Sequence, residues 1–169
     1  MAVIEKFLGQ RVEIPDDRRY DSKQGLWAQM QDQDLVFGMT QPALVLAGGI
    51  NELDWLAEDQ DSVTAGQEVV FAITSKILYI SAPVAGVARF NPEVKQNASL
   101  ASQDPYGCGW LFRIQPDAGG KDAWHTLSDA QTYIESLKSS DGFKNPEGLK
   151  GGVSGICKAV YSGIREQKF

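Results

Sequence analysis

Between residues 63 and 86 the hydrophobic pattern alternates, breaks and resumes. Val69, Phe71 and Ile73 alternate with Val70, Ala72 and Thr74, the period of two that suits a strand with one buried face. Thr74-Ser75-Lys76 then puts three polar residues in a row. After them the chain is apolar through Ile77, Leu78, Tyr79 and Ile80, and it turns at Pro83 and Gly86. The pattern predicts a β-hairpin with Lys76 at its crest, and Lys76 is the only lysine between Lys23 and Lys95.

The flanking segments also read as short strands and turns. Residues 3–8 suit a short strand or helix, and Gly9, Pro15 and the charge run from Asp16 to Arg19 punctuate the entry of the chain. Residues 26–37 form a second predicted hairpin, reversing at Gln31-Asp32-Gln33-Asp34. Thr40 stands as an N-cap before Pro42, with a short helix over Ala43, Leu44, Leu46 and Ala47 that ends at Gly48-Gly49. Residues 50–56 suit a strand with Glu52 and Asp54 turned outward. Residues 84–90 predict another strand, 91–98 a partly helical connection, and Trp110, Phe112 and Ile114, alternating with Leu111 and Arg113, a closing strand.

Beyond residue 116 the period changes to that of a helix. Ser128 is the expected N-cap of a helix over 129–138, with Ala130, Tyr133, Ile134 and Leu137 at helical spacing. Ile156, Val160 and Ile164 predict a last helix over 153–165. Three segments are expected: an entry over 1–24, a β domain over 25–115 and a helical extension over 116–169 packed on it.

Composition narrows the function. The 169 residues are 43% hydrophobic and 22% charged, as in a globular chain. No apolar run approaches the length needed to cross a bilayer, and the first residues lack the apolar core and cleavage site of an export signal, so a cytoplasmic protein is expected. A formal net charge of −6 argues against a nucleic-acid surface. Two cysteines without a CxxC spacing and one histidine, His125, cannot build a conventional zinc site. Cys108 reads as a small packed residue and Cys157 as a buried thiol. The glycine-rich residues 144–152 lack the phosphate-loop pattern. No nucleophile, base and acid fall into a catalytic order, so an autonomous enzyme is not expected.

Several ordered motifs carry a resemblance. Gly38-Met39-Thr40 follows Trp27 by eleven residues, Ala82-Pro83-Val84-Ala85-Gly86 makes a turn, Asn91 ends the next strand, and Asp104-Pro105-Tyr106-Gly107-Cys108-Gly109-Trp110-Leu111 follows. Together they resemble the H protein family of the glycine cleavage system over about residues 26–114. The resemblance implies a mainly β barrel-sandwich hybrid with short flanking helices. It also implies lipoate on a hairpin lysine, carrying an aminomethyl group between glycine decarboxylase, aminomethyltransferase and dihydrolipoamide dehydrogenase, after attachment by a lipoylating enzyme. The counterpart of that lysine is Lys76, ten residues beyond Gly66; counting back from Pro83 instead reaches Ser75. The acidic residue that the family has three positions before its lysine is replaced by Ile73. Two alternatives stand beside this expectation: a non-lipoylated binding or scaffold module, favoured by the apolar Ile77, Leu78 and Tyr79, and a lipoate carrier serving sulfur metabolism.

Overall fold

The computed structural model describes residues 1–149. Its elements are, in chain order, β1 (Ala2–Phe7), β2 (Gln10–Ile14), β3 (Arg19–Asp21), β4 (Leu26–Gln31), β5 (Asp34–Met39), α1 (Gln41–Ala47), β6 (Glu52–Trp55), β7 (Ser62–Val63), β8 (Glu68–Ile73), β9 (Ile77–Ser81), β10 (Gly86–Phe90), α2 (Pro92–Gln96), α3 (Leu100–Gln103), β11 (Phe112–Pro116), α4 (Gly120–His125), α5 (Ala130–Leu137) and α6 (Asp141–Lys144). The expected mainly β architecture with short helices is the one observed. The helix expected over 153–165 and the buried thiol expected at Cys157 lie outside the described residues.

Two sheets share the main core. One has six strands in the order β3-β4-β5-β11-β10-β7, the other three in the order β6-β8-β9. Leu35, Phe37, Ala88, Phe112 and Ile114 from the first meet Leu53, Val70, Ala72 and Ile80 from the second. The sheets enclose this core without closing into a complete barrel.

The β4-β5 part of the six-stranded sheet is buried on both faces, which explains the continuous apolar stretch of β5. By contrast, β10 and β11 expose Arg89 and Gln115 on the side away from the main core. Ala28, Leu35 and Phe37 point into the main core, whereas their neighbours Trp27 and Val36 point the other way. On that second face they meet Phe7, Val12 and Ile14 of the antiparallel β1-β2 hairpin, and Tyr133 and Leu137 of α5. The entry segment is thus a packed hairpin joined to the helices that follow the β region. Tyr20 stacks on Tyr133 with ring centres 4.8 Å apart.

Two sequence expectations are corrected here. The N-cap of α5 is Asp129, whose carboxylate accepts from the Thr132 amide at 2.8 Å. Ser128 is instead held by a two-way backbone bridge to Tyr20, each bond 2.8 Å long, which fixes it as strand-like and leaves capping to its neighbour. Cys108 is exposed rather than packed. Its segment is a surface turn, and its amide donates to the Asp104 carboxylate at 2.9 Å.

Candidate functional site

The β8-β9 hairpin forms as the alternation demands. Ile73 opposes Ile77, Ala72 opposes Leu78 and Phe71 opposes Tyr79. Three residues, Thr74, Ser75 and Lys76, make the connection. The Thr74 amide donates to the Lys76 carbonyl at 2.8 Å, and its hydroxyl both donates to that carbonyl (2.9 Å) and accepts from the Lys76 amide (3.2 Å). A buried threonine therefore closes the loop from within.

Ser75, not Lys76, is the middle residue of this loop. Its amide and hydroxyl both point at the Ala47 carbonyl, at 3.5 and 3.4 Å, which is one of the terminal acceptors left open by α1. The C-cap of α1, Gly48, is left-handed at φ 79° and lies beneath Ser75. Lys76 is the last residue of the loop and is exposed, and its ammonium has no hydrogen-bond or ion-pair partner among the described residues.

Lys76, at the end of the loop, and Leu78 of β9 both line a cavity of about 310 Å³. Its walls come from the loop that carries Lys23 and Gln24, from Leu46 of α1 and from Tyr133 and Ser136 of α5. The sequence pattern does not reveal this cavity, because it needs α5 brought back over the β domain. The amphipathic spacing of Tyr133 and Leu137 is the available signal. The Tyr133 hydroxyl meets that of Thr40 at 2.5 Å, and burial pushes the Tyr133 pKa up to about 12.

The remaining motif residues form a frame rather than a reactive centre. Asn91 is buried; its amide nitrogen donates to the carbonyls of Cys108 (2.9 Å) and Trp110 (2.8 Å), while its oxygen accepts from Glu93 and caps α2. The Trp27 indole donates to the Pro105 carbonyl at 2.8 Å. The Tyr106 hydroxyl donates to the Glu13 carbonyl and accepts from the Gln41 amide, at 2.5 and 3.0 Å. Gly109 is required by close approach, since a Cβ there would stand 2.3 Å from the Leu100 carbonyl oxygen. No group of three or more His, Cys, Asp or Glu side chains able to hold a metal occurs among the described residues. No described helix is long and apolar enough to cross a membrane.

Comparison with known proteins places this frame. A family model described as "Glycine cleavage H-protein" matches residues 18–140. A glycine cleavage system H protein of Thermus thermophilus is 35% identical over 131 residues, covering 76% of this chain and 98% of that protein. The H protein of Myxococcus xanthus is 32% identical over 130 residues, covering 75% and 97%. Among solved structures, a glycine cleavage system H protein from Mycobacterium marinum superposes with a TM-score of 0.62 at 27% identity, covering 72% of this chain and 97% of that one.

Proposed function

Because the chain belongs to the glycine cleavage H-protein family, whose members are lipoate carriers and not catalysts, we propose that lipoate is attached to Lys76. The observation that carries this reading is the state of Lys76 itself. It is exposed in a loop between two strands, its ammonium is unpartnered among the described residues, and it stands ten residues beyond Gly66. Attachment would replace an N–H bond of the deprotonated amine with an amide bond to the lipoyl carbonyl, displacing the activating group of the acyl donor. The chain would become one unit more acidic than its formal −6. When bound, the group supplies a redox-active disulfide at the end of a long arm. The protein's part is to hold the base of that arm still, and the Thr74 bonds that close the loop suit that task.

The proposed partners are glycine decarboxylase, aminomethyltransferase and dihydrolipoamide dehydrogenase, together with a lipoylating enzyme, working in the cytoplasm. An acidic surface suits docking to basic patches on such enzymes.

One observation favours a second reading, in which the chain is a non-lipoylated binding module. Ser75 occupies the crest and is turned onto α1, which sets Lys76 to one side. Intact mass of the protein from its source cells, with peptide mapping across residues 63–89, separates the two. The carrier reading expects an added mass of roughly 188 Da on Lys76, absent in Lys76→Ala. An unmodified Lys76 in cells whose other lipoyl proteins are modified overturns it in favour of the binding module.

A further inference from the structure

β9 is an edge strand with a gap in its covering. It pairs with β8 alone. The Thr74–Lys76 bonds and the bond from the Ala82 amide to the Gln67 carbonyl (2.8 Å) show that residues 76, 78, 80 and 82 turn their peptide groups toward β8. Residues 77, 79 and 81 therefore turn theirs outward. At Ser81 the outward groups are satisfied by the Gln24 side-chain amide, which donates to the carbonyl at 2.9 Å and accepts from the amide at 2.8 Å. Gln24 thus stands where the peptide group of a neighbouring strand would stand. The outward groups of Ile77 and Tyr79 have no such partner among the described residues.

The side chains around this open edge are also unusual. Ile77 is 57% and Tyr79 48% exposed. They continue across the outer face of the sheet as two rows, Ile77–Ile73–Glu52 and Tyr79–Phe71–Asp54, and the Phe71 and Tyr79 rings lie 5.7 Å apart. On the inner side, next to Leu78, the cavity carries Lys23 and Lys76. Neither lysine has an acidic partner among the described residues, although the chain as a whole is acidic. Natural edge strands are normally bulged, charged or covered, and one left open and apolar is a template for another strand.

We propose that β9 is a docking edge for an extended segment of a partner protein, which adds antiparallel beside Ile77–Tyr79. Its outward side chains are apolar or β-branched and extend the Phe71–Tyr79 face. Its inward side chains are acidic and face Lys23 and Lys76. Charge complementarity selects this occupant over a second copy, since the β9 strand of another copy, Ile77–Ser81, carries no acidic side chain to face Lys23 and Lys76. The site is defined by backbone groups and does not rest on lipoylation; a lipoyl amide at Lys76 would remove one cation and leave Lys23.

The test uses the full chain in its unmodified form, labelled with ¹⁵N, and a capped heptapeptide of alternating Val and Glu. Saturable shifts of the Ile77 and Tyr79 amides are expected, with slowed hydrogen exchange at both. Binding should weaken about fivefold when Lys replaces Glu in the peptide, and be lost when the peptide amides that face β9 are N-methylated. On the protein side, Tyr79→Pro deletes one outward N–H without touching a bond to β8 and should abolish binding, whereas Tyr79→Thr should keep it. Absence of shifts at these amides, or equal binding of the N-methylated peptide, overturns the proposal. So does protection of both amides in the dilute free chain, which would assign the edge to residues 150–169. Protection that grows with protein concentration would assign it to a second copy. None of these outcomes depends on the mass found at Lys76.

Discussion

The Tyr133 hydroxyl lies 2.5 Å from the hydroxyl of Thr40, so the first residue before α1 is tied to the middle of α5. The Thr40 oxygen also accepts from the Ala43 amide at 3.1 Å, as an N-cap should. At the other end of the same short helix the Ala47 carbonyl receives Ser75. Tyr133→Phe removes one buried hydrogen bond while keeping the ring stacked on Tyr20. A loss of about 1 to 2 kcal/mol is expected in urea denaturation. Thr40→Val should cost more, because it removes the cap as well.

Stability should fall on the alkaline side. Burial raises the Tyr133 pKa to about 12 from the ordinary 10.0, against the opposing pull of its bond with Thr40. Burial raises Tyr20 and Tyr106 further still. The native protein therefore holds these protons more tightly than the unfolded chain. The stabilisation is complete below about pH 10 and is lost as pH rises from about 10 toward 12. Urea midpoints should be level from about pH 7 to 9 and decline above about 10, with a shallower decline in Tyr133→Phe.

Two glycines should respond oppositely in severity. At Gly86 an added Cβ would stand 2.1 Å from the Gln115 carbonyl oxygen, at the first residue of β10, which pairs with β11 on one side and β7 on the other. Gly86→Ala should cost more than about 3 kcal/mol or prevent folding. Gly66 has φ +90° and open space around it, so Gly66→Ala meets backbone strain alone, about 1 to 2 kcal/mol. Thermal midpoints of the two variants check the contrast.

The Ser75 contacts with Ala47 are long, and long hydrogen bonds contribute little to global stability. Ser75→Ala should move the denaturation midpoint by less than about 0.5 kcal/mol. It should nevertheless speed hydrogen exchange at Ser75, since the effect is local to the loop.

Cys108 should alkylate slowly for an exposed thiol. Its hydrogen bond to the Asp104 carboxylate, followed by that charge itself, pushes the thiol pKa up and depletes the thiolate. Asp104→Asn should raise the iodoacetamide rate at pH 7.5 by about threefold or more, read on the peptide containing Cys108.

Much of this is legible in the chain. Period-two alternation locates β8 and β9, and Thr40, Pro42 and Gly48 mark both ends of α1, because each signal is local. The crest of the hairpin is not legible. Whether Ser75 or Lys76 takes it depends on which residues pair across the turn, and the Ile73–Ile77 pairing follows from packing of the whole sheet. Ser128 and Asp129 are both competent caps, and only the distant Tyr20 decides between them. Cys108 reads as packed because it sits inside the motif that runs from Asp104 to Trp110, whereas the turn faces outward. Gln24 carries no signal at all, since its role exists only beside Ser81.

Asn91 has one further property. Its side-chain amide donates to two carbonyls, so conversion to aspartate would set a carboxylate against both. The common route to that damage begins with attack on the side chain by the next residue's backbone nitrogen. That residue is Pro92, which has no N–H. The buried tie that holds the Cys108–Trp110 turn to the start of α2 is thereby guarded against chemical ageing by its immediate neighbour in the chain.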